Sequence, residues 1–173
     1  MFKPTLNETY IHVFSRDPAI DRERRREGVD PPPDAAEDWR PPPAFDHEAF
    51  IRTGDQQYLP LVPEIEPRKF YLGHLRGEQI ATARGWLRRV VARELEPETV
   101  YHRIAAMCLK RWEGVYKKAE GGDVVEVEID HYLSSDGLPR VTAELMTMLE
   151  QERGLVSELG QRVVMEDLVA DPT

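Results

Sequence analysis

The chain has 173 residues and a formal net charge of −9, from 23 Lys and Arg against 32 Asp and Glu. That balance argues against a duplex nucleic-acid binder, which gains affinity by neutralising phosphates with cationic side chains. No run approaches the ~20 apolar residues of a membrane span, and a single cysteine, Cys108, excludes an intramolecular disulfide. The chain is therefore expected to be soluble and unprocessed, with a fold resting on packing alone.

Residues 9 to 14 alternate Tyr10, His12 and Phe14 against Ile11 and Val13, which predicts a short strand. A charged run, Asp21 to Glu27, follows, and then two proline triplets, Pro31 to Pro33 and Pro41 to Pro43, around Trp39. Triplet prolines favour extended polyproline geometry and remove backbone donors, so residues 28 to 45 read as a strap. Residues 1 to 54 form an extended arm on this reading, and residues 55 to 173 a compact domain. An arm poor in apolar surface orders itself by lying on something else. Strand addition by Tyr10, His12 and Phe14, with docking by Trp39 and Phe45, is the expected mode of partner binding.

From residue 58 the pattern becomes that of a globular domain. Residues 58 to 62 and 68 to 75 read as a β-hairpin, with Pro60 placing the first strand at an edge. A helix from Glu78 to Leu95 has an apolar stripe of Ile80, Ala83, Leu87, Val90, Val91 and Leu95, and an outer face of Arg84, Arg88, Arg89 and Arg93. Gly85 inside it points to close packing on another backbone. A second helix opens at Pro97 and is expected to run to Gly121-Gly122, burying Ile104, Cys108, Trp112 and Val115. Val125, Val127 and Ile129 then alternate with Glu126, Glu128 and Asp130, predicting a strand with one buried face. Ser134 to Gly137 is turn chemistry, and helices are expected from Pro139 and over residues 155 to 168. The fold class is α+β: a small antiparallel sheet, made of the hairpin and one later strand, covered by about four helices.

Chemical signatures are few. His12, His47, His74, His102 and His131 never fall at the spacing that sets two imidazoles on one helix face for a metal. Cys108, between Met107 and Leu109, reads as a small buried hydrophobe. Gly121-Gly122 follows a helix and precedes a strand, the reverse of a phosphate-binding loop. Residues 78 to 118 offer two helices with basic side chains, yet their joint, Glu94 to Glu98, is acidic where a helix–turn–helix would meet phosphates. No catalytic, cofactor or metal residues are assigned, and the chain reads as non-enzymatic.

The stretch Leu109-Lys110-Arg111-Trp112-Glu113-Gly114-Val115, then Gly121-Gly122, a strand and two short helices, resembles small accessory proteins of tailed bacteriophages. Residues 67 to 78, Pro-Arg-Lys-Phe-Tyr-Leu-Gly-His-Leu-Arg-Gly-Glu, resemble the strand-to-helix entry of tail-assembly-chaperone-like and virion-associated proteins. The resemblance covers residues 67 to 165. It implies a structural or assembly role: a capsid, head–tail or tail accessory component, or an assembly chaperone. The implied partners are phage structural proteins or further copies of the chain, and the implied place is the host cytoplasm during assembly, with retention in the virion for a structural component. The alternative from another class is an acidic host-directed module presenting Glu126, Glu128, Asp130 and Glu144 to a basic site.

Overall fold

A computed structural model describes residues 9–23, 31, 33–39 and 44–169. Their fold is α+β. In chain order the elements are β1 Thr9–His12, α1 His47–Thr53, β2 Lys69–Gly73, α2 Glu78–Val91, α3 Pro97–Cys108 and β3 Leu109–Glu113. They continue with β4 Tyr116–Lys118, β5 Val124–Glu126, β6 His131–Leu133, β7 Pro139–Val141, α4 Ala143–Glu150 and α5 Leu155–Val164. A π-helical turn, Met165–Val169, extends α5. The residues sort into two units, one of β1 through Phe14 with residues 68 onward, the other of residues 15–67.

The first unit is built on an antiparallel sheet in the order β1-β2-β3. β2 lies at its centre, pairing Tyr10 with Leu72 and His12 with Phe70 on one side, and Trp112 with Phe70 on the other. Period-two alternation sends Phe70, Leu72 and Trp112 to one face, where they join Phe14, Val100, Ile104 and Leu159 in the core. Residues 58 to 62 were expected to pair with β2 and do not. Their place in the sheet is taken by β1 and β3, while Leu61 makes only an isolated bridge to Ile20.

The second helix was expected to run from Pro97 to Gly121, and instead α3 stops at Cys108 and the chain enters β3 directly. Trp112 is buried as expected, but on a strand. Its indole Nε1 donates to the Val127 carbonyl at 2.6 Å. Pairing with β2, which buries both Leu109 and Trp112, overrides local helical propensity. Gly121-Gly122 accordingly turns a hairpin, β4–β5, with Gly122 at φ 86°. Pro139 opens strand β7, and the helix starts four residues later at Ala143, with Thr142 at the N-cap.

Helices α3 and α5 approach closely because Gly160 has no side chain. A Cβ there would stand 2.6 Å from Tyr101 C and Cα, and against the Tyr101 carbonyl oxygen. Gly85, read from sequence as such a site, has nothing within 4 Å of an added Cβ. Its helix is shorter than expected, ending at Val91, which is 84% exposed.

In the second unit, Asp46 caps α1 by accepting Ala49 N–H at 3.0 Å, and the helix ends at Gly54 with φ 67°. Backbone bonds from Val62 N–H to the Ala19 carbonyl and from Asp21 N–H to the Pro60 carbonyl, both 2.8 Å, tie its ends together. Ala19, Ile20, Ala49, Phe50 and Leu59 are buried. The division expected at residue 55 falls inside this unit. Much of the expected strap, residues 28–30, 32 and 40–43, lies outside the described residues, as do Arg24 to Arg26.

Candidate functional site

The sheet's second face carries a groove of about 970 Å³, lined by Ile11, Tyr71, His74, Lys110, Arg111 and Leu138 among others. Alternation explains its floor: Thr9, Ile11, Tyr71 and Gly73 point away from the core because Tyr10, His12, Phe70 and Leu72 point into it. A register shift between Tyr71 and Leu72 leaves Lys110 as the extra residue of β3. Gly73 makes room for it, since a Cβ there would stand 2.8 Å from Lys110 Cε. The Arg111 guanidinium stacks over the Tyr71 ring at 4.3 Å. Tyr71 Oη donates to Glu113 Oε1 at 2.9 Å, and Arg111 also bonds this carboxylate. The Tyr71 bond, and then Arg111, hold the Glu113 carboxyl below the usual carboxylate range.

At one end of the groove, His74 is oriented by a buried acid. Its Nδ1 donates to Asp167 Oδ1 at 2.6 Å, while Asp167 Oδ2 accepts Leu75 N–H at 2.6 Å. Asp167 sits in the π-helical turn, a local geometry common at functional sites. Holding Nδ1 in this way fixes the imidazole plane and assigns Nε2 the ring's other role. Tyr10 packs against the imidazole at 5.1 Å between ring centroids, and the Arg162 guanidinium lies 5.2 Å from the Tyr10 ring. Arg162 donates to Glu166 Oε2 at 2.6 Å, and His12 Nε2 meets Glu158 Oε1 at 2.9 Å. A polar layer thus runs beneath the sheet. Desolvation pushes the Tyr10 hydroxyl far up and the Cys108 thiol up to about 12, so both stay neutral. Cys108 is core, not a nucleophile.

The residues expected to dock on partners are placed differently. Tyr10, His12 and Phe14 face inward: His12 and Phe14 are buried, and β1 already pairs with β2. These side chains therefore belong to the chain's own core and are not open to docking, while β1 itself is an edge strand of the sheet. Phe45 is half-buried with Arg22 over its ring at 5.3 Å, and Trp39 is half-buried. Of the expected core residues, Ile104, Trp112 and Val115 are all buried. Val125 is not: the ribbon β4–β5 is exposed at every position, and only Val127 beyond it is buried.

The His74–Asp167 pair was missed in the sequence. The two residues lie 93 positions apart, and only the fold joins them. A second polar cluster joins three helices. His102 Nδ1 donates to Glu150 Oε1 at 2.9 Å, and its Nε2 lies 3.4 Å from Ser157 Oγ. The order Ser, His, Glu matches that of a nucleophilic triad. Glu98 Oε1, however, is 3.4 Å from the same hydroxyl, and its charge opposes the negative charge a reacting serine must develop. The cluster is a clamp between α3, α4 and α5.

Among the described residues no three His, Cys, Asp or Glu side chains are grouped to hold a metal, and no helix is long and apolar enough to cross a membrane. No protein-family model, curated protein or solved structure matches the chain.

Proposed function

We propose that the chain is a non-enzymatic structural or assembly protein of a tailed-phage particle, acting through protein–protein contacts. The observation that carries this reading is the ribbon β4–β5. Its residues are all exposed, yet they include Tyr116 at 60%, Val124 at 63% and Val125 at 40% exposure. A two-stranded ribbon is marginal alone in water, and apolar residues at its exposed end gain most when a partner covers them. The base of the ribbon is anchored, because Val127 N–H donates to the Val115 carbonyl at 2.8 Å next to the Trp112 bond. It is therefore a projecting element on a fixed stem. The resemblance over residues 67 to 165 supplies the phage setting.

The test is co-sedimentation with capsid and tail proteins of a tailed phage, for the native sequence and for Tyr116→Lys/Val124→Lys. The native chain should sediment with one of them and the variant should remain in the supernatant, with both melting alike. Equal sedimentation of the variant would remove the ribbon from the interface, and no sedimentation of either chain would count against the assembly role.

A second reading rests on the exposed carboxylates Glu126, Glu128, Asp130 and Glu144. An acidic module of this kind docks on a basic site of a host nucleic-acid enzyme and loses it at high salt. Capture of such an enzyme at 50 mM but not 500 mM salt, about a threefold change in Debye length, would favour it over assembly.

A further inference from the structure

Helix α2 is a basic element on an acidic chain. Residues 79 to 93 hold four arginines and no carboxylate, while the whole chain carries a net charge of −9. The helix is lightly packed: of its residues only Ala83 is fully buried, with Ile80, Trp86, Leu87 and Val90 partly buried against the core. Ala81, Arg84, Arg88 and Val91 recur at the three- and four-residue spacing of one helix face, and all four are exposed. Arg89 is engaged by Glu94 at 3.2 Å. Arg84 and Arg88 make no ion pair among the described residues. The stripe therefore sets two guanidinium groups next to an apolar side chain, Val91, that is 84% exposed.

The complement lies on the same chain. Residues 116 to 130 carry five exposed carboxylates, Glu120, Asp123, Glu126, Glu128 and Asp130, against two cations, Lys117 and Lys118. Glu126 accepts Gly114 N–H at 3.4 Å, and none of the five makes an ion pair among the described residues. Between these carboxylates stand the exposed Val124 and Val125. Each surface thus combines charge of one sign with exposed apolar side chains, and the signs are opposite.

We propose that the Arg84–Arg88 face of α2 in one copy docks on the acidic ribbon, residues 120 to 130, of the next copy. This rests on the reading of β4–β5 as the assembly contact and names its occupant. Guanidinium groups engage carboxylates as planar, two-pronged donors, and Val91 covers Val124 and Val125. Because the two surfaces are unlike, the contact is heterologous and repeats head to tail, where a self-complementary patch would close a twofold dimer. An open run of copies ends in one unoccupied ribbon, the surface that a capsid or tail protein can take.

The experiment is sedimentation velocity of the full chain at 100 μM. The native chain is expected to form species larger than a dimer in 50 mM salt, with a dissociation constant at least tenfold larger in 500 mM, where the Debye length is about threefold shorter. Arg84→Gln/Arg88→Gln and Glu126→Gln/Glu128→Gln should each be monomeric in 50 mM salt, with melting temperatures unchanged. Mixed in equal amounts, the two variants should stop at a 1:1 complex, because the first keeps its ribbon and the second its α2 face. Assembly that either variant retains overturns the proposal, as does a mixture that stays monomeric. A monomeric native chain overturns it too; if that chain still co-sediments with capsid or tail proteins, this inference fails while the assembly reading stands. A monomeric chain that binds a DNA duplex through Arg84 and Arg88 would give the arginines to phosphates and likewise overturn it.

Discussion

One substitution, glycine to alanine, should have opposite signs at two helical positions. In α5, a Cβ on Gly160 would stand 2.6 Å from Tyr101 C and Cα, where ordinary contacts begin at 3.4 Å. The obstructing atoms are backbone, so α3 and α5 must separate by about 0.8 Å or more, in a core packed without slack. Overpacking of this kind costs about 1 to 3 kcal/mol, and a rigid backbone obstacle belongs at the upper end. Alanine returns about 1 kcal/mol of helix propensity. The net is about 2 kcal/mol of destabilisation, or about 4 to 8 °C in melting temperature at ~2 to 4 °C per kcal/mol for a domain of this size. Gly85 in α2 has nothing within 4 Å of an added Cβ, so only the propensity gain of about 1 kcal/mol remains and the melting temperature should rise by about 2 to 4 °C. Thermal unfolding followed by far-ultraviolet circular dichroism reads both variants. A Gly160→Ala protein that melts at or above the parent temperature would refute the close crossing of α3 and α5.

Two further outcomes follow from the core. Trp112→Ala removes a buried indole and strands the Val127 carbonyl it satisfies, and should cost about 3 to 5 kcal/mol in urea unfolding; Trp112→Phe, which keeps most of the volume, should still lose about 1 to 3 kcal/mol for the orphaned acceptor. Cys108, buried with its thiol pushed up to about 12, should react with a thiol reagent at pH 8 only through unfolding. Labelling faster than the measured unfolding rate would show that the thiol is accessible in the native fold.

Much of the fold was legible from local signals. The helix opening at Pro97, the β1 alternation and the turn at Ser134 to Gly137 all depend on residues close in sequence, and each appears where it was read. The errors have one cause. Leu109 to Glu113 has no strong breaker before it, and its strand character comes from Phe70 and Leu72 across the sheet, about forty residues earlier. Gly114, at φ 78°, was the available sign that a helix could not continue to Gly121. Gly85 and Gly160 show the same limit: both lie in helices, and only the neighbouring helix tells which one is needed. The groove was illegible for that reason too, since His74 becomes a positioned group only when the π-helical turn after α5 brings Asp167 to it.

The pairing of His12 with Phe70 brings two points of the chain side by side although nearly sixty residues separate them. Residues 15–67 are thus an insertion at the tip of what would otherwise be a short antiparallel chain reversal. Loop closure costs only about 0.6 kcal/mol for each doubling of length, so lengthening a short turn to this extent costs about 2 to 3 kcal/mol, less whatever order the inserted stretch has of its own. Such a tip is where a lineage can add, trim or exchange sequence without disturbing the sheet below. Related chains are therefore expected to differ most in length between β1 and β2, and replacing residues 15–67 by a short glycine-containing turn should yield a smaller protein that retains the groove and the β4–β5 ribbon.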